Sequence, residues 1–194
     1  MSTAFQIALP DFLVLANTQA CVIANPSARM AFVLDLARQN IAAAGGPFAA
    51  AVFERESGRL LGAGANRVVA ATCSSAHAEI IALSLAQARL GSHDLGAPGL
   101  PACELVTSAE PCAMCLGATL WSGVRHLVCA ASGEDVVALG FDEGPRPADW
   151  RAELHGRGIG LTLGLMREAA CTILHAYRAA GGPIYNAHRN HTQA

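Results

Sequence analysis

The chain is 194 residues long, 53% hydrophobic, and sets 13 basic side chains against 15 acidic ones for a formal charge of −2. That length suits one domain with a full hydrophobic core, and the near-balance argues against a broad basic surface for phosphate backbones. No apolar run approaches a membrane span and the N-terminus lacks the pattern of a secretory signal, so the sequence reads as cytoplasmic with no membrane partner.

Residues 1–26 mix apolar pieces with "NTQ" and "NPS" and read as an arm packed on a domain over 27–180. A helix follows from Pro26 or Ser27, with Val33, Leu36, Ala37, Asn40 and Ile41 on one face. Gly45-Gly46 ends it. Two short apolar runs then flank Ser57-Gly58, the pattern of a β-hairpin. A second helix is predicted to begin near Ser75 and to carry Ile80, Leu83, Leu85 and Ala86 towards Leu90. "ACELVTSA" reads as a strand, and "PCAMCLGATLW" as a short helix with Pro111 at its first position and Gly123 just past its end. "RHLVCAA" is a strand, "EDVVALG" helical, "GLTLGL" a strand and "MREAACTILHAYRAAGG" a helix. The remainder, 181–194, has no packing pattern and reads as an extended tail. A hairpin followed by alternating helices and strands gives an α/β fold, a three-layer α/β/α sandwich on a mixed sheet of about five strands.

Chemistry concentrates in "AHAEI" at 76–80 and "EPCAMC" at 110–115. Cys112 and Cys115, three apart, project to one side of a helix, and in its first turns the dipole and free N–H groups favour thiolate. With His77 from the first turn of the other helix, they make a three-ligand zinc set with a fourth position open to water. Two thiolates cancel the charge of the metal, so the site benefits from a nearby base, and Glu79 is the candidate. Glu79 lies roughly 200° round a helix from His77, which suits a proton carrier better than a ligand. A lone Cys-x-x-Cys is as readily a structural zinc knuckle or redox pair, and a lone His-x-Glu is mostly chance. A knuckle needs two further ligands, however, and a redox pair leaves His-x-Glu unexplained. The seven cysteines are an odd number in a chain too long to need disulfides, so reduced thiols are expected. Cys21, Cys73, Cys103, Cys129 and Cys171 read as small core residues.

With these motifs the chain resembles the zinc-dependent nucleobase deaminases of the cytidine deaminase superfamily, and most of all bacterial guanine deaminases. The resemblance covers residues 27–180 and rests also on "GGPFAAAVF", "GANRVV", "TSAEPCAMCLGA" and "GFDEGP". It implies one Zn²⁺ per chain on His77, Cys112 and Cys115, with Glu79 as proton shuttle. It further implies Phe48 against a base, Asn66 on its edge, and a carboxylate from the "GFDE" segment, where Glu143 is favoured over Asp142. Ala76, Phe141 and Tyr185 are counted with the substrate pocket. Read without the family, Phe48 and Phe141 are equally plain core, Asn66 a turn residue, and Asp142 and Glu143 a solvated loop.

The implied activity is hydrolysis of guanine to xanthine and ammonia, with a small purine base as the partner molecule and a homodimer as the assembly. A carboxylate facing the N1–H and amino edge would select guanine, because adenine would leave it unpaired. The nearest rival is a tRNA adenosine deaminase, but the terminal helix and tail supply only Arg167, Arg178 and Arg189 for RNA. Cytosine or ammeline as substrate also fits the motifs, as does a zinc-stabilised binding module without turnover. Residues 183–190 are expected to close over the pocket with Tyr185 nearest the base, leaving His188 and His191 solvated.

Overall fold

A computed structural model describes residues 6–186 of the chain. Its centre is a five-stranded mixed sheet in the order β2-β1-β3-β4-β5, built from β1 (Ala49–Glu54), β2 (Leu60–Ala65), β3 (Cys103–Ala109), β4 (His126–Ala131) and β5 (Gly160–Thr162). β1 runs antiparallel to both β2 and β3, whereas the β3–β4 and β4–β5 pairs are parallel. The alternation of side chains along each strand sends apolar residues to both faces, so helices must cover both. Phe53, Val106 and Val128 pack with α2 (Pro26–Ala42), α5 (Gly133–Ala138) and α7 (Arg167–Ala179). On the opposite face Val52, Leu105 and Leu127 meet α3 (Ala78–Leu90), α4 (Ala113–Ser122) and α6 (Trp150–Gly156). The expected three-layer sandwich is the observed one.

Local chemistry starts and positions these helices. Asn25 caps α2 by accepting from the N–H groups of Ser27 and Ala28, with Pro26 at the first helical position. α3 lies directly on β2 because Gly62 and Gly64 present no side chain to it. A Cβ at Gly64 would collide with the carbonyl of Ala78 and lie 2.7 Å from Ala82 N. Those two glycines therefore set how close α3, and the residue at its head, come to the sheet.

The N-terminal segment contains a helix that the periodicity does not reveal, α1 (Asp11–Thr18), whose Leu13 is wholly buried. Burying one leucine contributes about 2 kcal/mol towards docking the segment. It lies along β2, the edge strand. Asn17 accepts from Ala63 N at 2.8 Å and donates to Ala63 O at 2.9 Å, and Leu60 N donates to Cys21 O. Groups that would otherwise form an open edge are thereby satisfied.

Several boundaries differ from expectation. α3 starts at Ala78 rather than Ser75, because His77 is still extended at ψ 154°. Its fully buried face is Ala78, Ile81, Ala82, Leu83 and Ala86, and Ile80 and Leu85 are only half-buried. Pro111 is not the first residue of α4; Cys112 is the N-cap, at ψ 174°. β5 stops at Thr162 because Gly164 turns the chain at φ +75°. α6 is a helix that the sequence pattern missed, since only Trp150 and Leu154 are buried along it. Among the non-motif cysteines Cys103 and Cys129 are buried, but Cys21, Cys73 and Cys171 are half-exposed rather than core.

Candidate active site

Two helix N-termini converge at one end of the sheet. His77 is the N-cap of α3 and Cys112 the N-cap of α4, with Cys115 one turn further on. His77 and Cys112 thus precede their helices instead of occupying the first turns, and their extended backbones swing both side chains into the gap between the helices. His77 Nδ1 lies 3.6 Å from Cys112 Sγ and 3.5 Å from Cys115 Sγ. The three ligand atoms all fall within 4.8 Å of one another. A tetrahedral zinc with ordinary Zn–S and Zn–N bonds separates its sulfur and nitrogen ligands by about 3.6 Å. The donor set fits that metal in both chemistry and spacing.

Electrostatics agree with a metal-ready site. In the metal-free chain the Cys112 thiol is pulled down to about 4, first by its hydrogen bond with Cys115 and, against the cost of burial, by His77. Cys115 is pushed up by that same bond, so one proton is held between the two sulfurs. Burial pushes the Glu79 carboxyl up, with His77 opposing it. Burial also raises Glu143, to about 8, helped by the charges of Cys112 and Glu79 and opposed by Arg146. Two carboxyls in one cavity, both raised by burial beside a metal triad, are suited to proton transfer.

A cavity of about 200 Å³ opens onto the triad, lined by Phe48, Asn66, His77, Glu79, Cys112, Phe141, Glu143 and Tyr185 among others. Phe48, Phe141 and Tyr185 form one aromatic wall, with ring centroids 5.1 Å apart for the first pair and 5.2 Å for the second. Such rings match the flat face of a heterocycle. Asn66 is buried, and its N–H donates to Phe48 O at 2.9 Å. A Cβ at Gly46 would lie 2.9 Å from both Asn66 Oδ1 and Tyr185 Oη, so glycine keeps open the corner where two polar atoms meet. The Tyr185 hydroxyl is buried without a hydrogen-bond partner among the described residues. A buried hydroxyl in that condition is free to pair with a polar atom in the cavity.

Most of the residues named from sequence are brought together here, with one departure. Ala76 does not line the cavity; its carbonyl accepts from Arg67 N and its side chain is buried. Asp142 is exposed at the rim, and its Oδ1 accepts from Gly144 N at 2.9 Å, a local turn that commits the carboxylate to the backbone. Asp142 and Glu143 both line the cavity, and Glu143 is the more buried of the two. Ile184, Tyr185 and Asn186 lie on the domain, whereas residues 187–190 of the expected lid, with His188 and His191, lie outside the described residues. Sequence reasoning missed Val68, Ser74, Thr107, Ser108 and Asn186 in the wall. It also missed the hub behind it. Asn40, fully buried, donates through Nδ2 to Gly46 O and Asn66 O, both at 2.8 Å, and accepts from Arg67 at 2.9 Å.

Comparison with known proteins places these features in a family. Residues 24–131 match the profile of the cytidine and deoxycytidylate deaminase zinc-binding region. A structure of guanine deaminase from Nitrosomonas europaea is 65% identical, with a TM-score of 0.91 over 92% of this chain and 98% of that one. A second structure, determined in complex with 2,6-diaminopurine, is also 65% identical, with a TM-score of 0.92 over 96% of this chain and 99% of that one. Guanine deaminase of Bacillus subtilis is 38% identical over 99 residues, which are 51% of this chain and 59% of that protein. The match therefore spans a little over half the length of the Bacillus enzyme.

Proposed function

The chain belongs to the cytidine and deoxycytidylate deaminase zinc-binding family, and on that premise we propose that it hydrolyses guanine to xanthine and ammonia. The observation that carries the reading is the pairing of a zinc-type triad with two carboxyls, Glu79 and Glu143, in the same cavity. Likeness to guanine deaminases at 65% identity over nearly the whole chain supports the same substrate.

His77, Cys112 and Cys115 would hold one zinc, which when bound supplies an activated water. Glu79 takes the proton of the attacking water and returns it to N3 of the base. Glu143 faces the amino edge, takes the hydroxyl proton left at C2 as the C=O forms, and passes it to the departing nitrogen, which leaves as ammonia. One water is consumed and one amino group replaced by oxygen. Phe48 and Phe141 hold the ring plane, while Asn66 and Tyr185 offer polar atoms to its edge. Adenine brings neither an N1–H nor a C2 amino group to Glu143, so discrimination follows from a carboxylate left without a partner.

The homodimer has a candidate surface on the outer side of α3 and α4. There Trp121 is 79% exposed beside a groove lined by Ile80, Leu83 and Ala118. All seven cysteines are free, which supports a reducing compartment such as the cytoplasm. No helix among the described residues is long and apolar enough to cross a membrane. The deciding experiment is ammonia release from guanine, adenine, cytosine, guanosine and ammeline by the zinc-loaded chain. Guanine should be turned over fastest, and turnover confined to another ring would overturn the assignment.

A further inference from the structure

The segment 140–143 carries Phe141 and Glu143 to the cavity yet belongs to no helix or strand. Gly140 sits at φ +104°, in a region that side chains other than hydrogen rarely tolerate. Without a ladder of its own, such a segment must find partners for its backbone elsewhere. One side chain supplies two of them. Asn186 Nδ2 donates to Gly140 O at 2.7 Å, and Asn186 Oδ1 accepts from Asp142 N at 2.9 Å. These bonds straddle Phe141 as a neighbouring strand would. One residue further, Glu143 O accepts from Ala113 N, the first residue of α4 and the neighbour of Cys112, at 2.9 Å. The backbone before Glu143 is thus held by the tail and its own carbonyl by the metal-site helix.

The tail that presents Asn186 is itself anchored. Gly182 N donates to Tyr177 O at 3.0 Å, and the Tyr177 hydroxyl donates to Pro183 O at 2.8 Å. Tyr185 packs edge-on against Phe141. Removal of the Asn186 amide would leave these contacts standing, so its effect on segment 140–143 is separable from docking of the tail.

We infer that Asn186 is a positioning residue for Glu143, the side chain through which the seated tail aligns the second carboxylate. The inference rests on the reading of Glu143 as a proton carrier. Asn186→Ala tests it in two ways. Amide exchange, followed by mass spectrometry on the zinc-loaded chain, should accelerate about tenfold over 140–143 while peptides from β3 and α7 keep their rates. With guanine, kcat should fall about tenfold and KM move by less than about twofold. In a Glu143→Ala background the same substitution should add less than about a twofold loss, because the group it positions is gone. Unchanged exchange over 140–143, or losses that multiply in the double variant, would overturn the inference. If the wild-type chain releases no ammonia from guanine, the substrate reading fails by itself, and the exchange experiment still decides whether Asn186 holds the segment.

Discussion

Asn40 offers the sharpest test of how the scaffold sets the pocket. Replacing it with leucine keeps the branching and the number of side-chain heavy atoms and removes three hydrogen bonds, to Gly46 O, Asn66 O and Arg67. Their surroundings are unequally compensated. Asn66 O still receives Gly46 N at 3.2 Å and Arg67 still reaches Ala43 O at 3.1 Å. Gly46 O, fixed by Asn40, is the acceptor left most exposed to the loss. At about 1 kcal/mol per buried bond the substitution should cost about 3 kcal/mol. For a chain of this size that corresponds to a drop of about 6–12 °C in Tm. Because Gly46 and Asn66 form the polar corner of the cavity, KM for guanine should rise as well. Thermal unfolding of the zinc-loaded protein and steady-state kinetics read both. Asn17→Ala is the control: it breaks a similar amide pairing with Ala63 away from the cavity, so it should lower Tm and leave KM unchanged. A Tm within about 2 °C of wild type for Asn40→Leu, less than one bond is worth, would refute the hub.

Other outcomes follow from the site itself. Cys112→Ala should abolish stoichiometric zinc by metal analysis, since two remaining ligands do not hold the ion; full zinc content would refute the triad. Glu79→Gln should retain zinc and lose about 10²-fold or more in kcat, and normal turnover would place the proton carrier elsewhere. Glu143→Ala should impair guanine turnover far more than Asp142→Ala, whose carboxylate is engaged by Gly144 N. The reverse order would exchange their roles.

How much of this could be read from the chain depends on whether a feature is local. The period of α2 and the apolar runs of β1, β3 and β4 are short-range signals, and the elements appear where those signals lie. The metal triad is legible because His77 and the Cys112–Cys115 pair each carry their own spacing. Asp142 and Glu143 are adjacent and chemically alike, so their spacing does not separate them and the preference for Glu143 comes from the resemblance; the structure adds a turn in which Gly144 N engages one Asp142 oxygen. Periodicity places Asn40 on the inner face of α2 but not its hydrogen bonds, and Asn186 leaves no local trace, because the partners lie up to 46 residues away. α1 and α6 are too short for a period to accumulate, and each is fixed by one or two buried side chains.

The edge contacts of β2 also carry an ordering in time. A growing chain emerges N-terminus first, at about 5–20 residues per second. Asn17 and Cys21 are therefore already outside the ribosome when Leu60 and Ala63, the groups they engage, are made. The hairpin of β1 and β2 forms with its cover at hand, seconds before β3 is complete and able to pair with the other side of β1. A circular permutant that moves residues 6–25 to the C-terminus would preserve the contacts but reverse that schedule. During synthesis its nascent hairpin would show a bare strand to neighbouring chains.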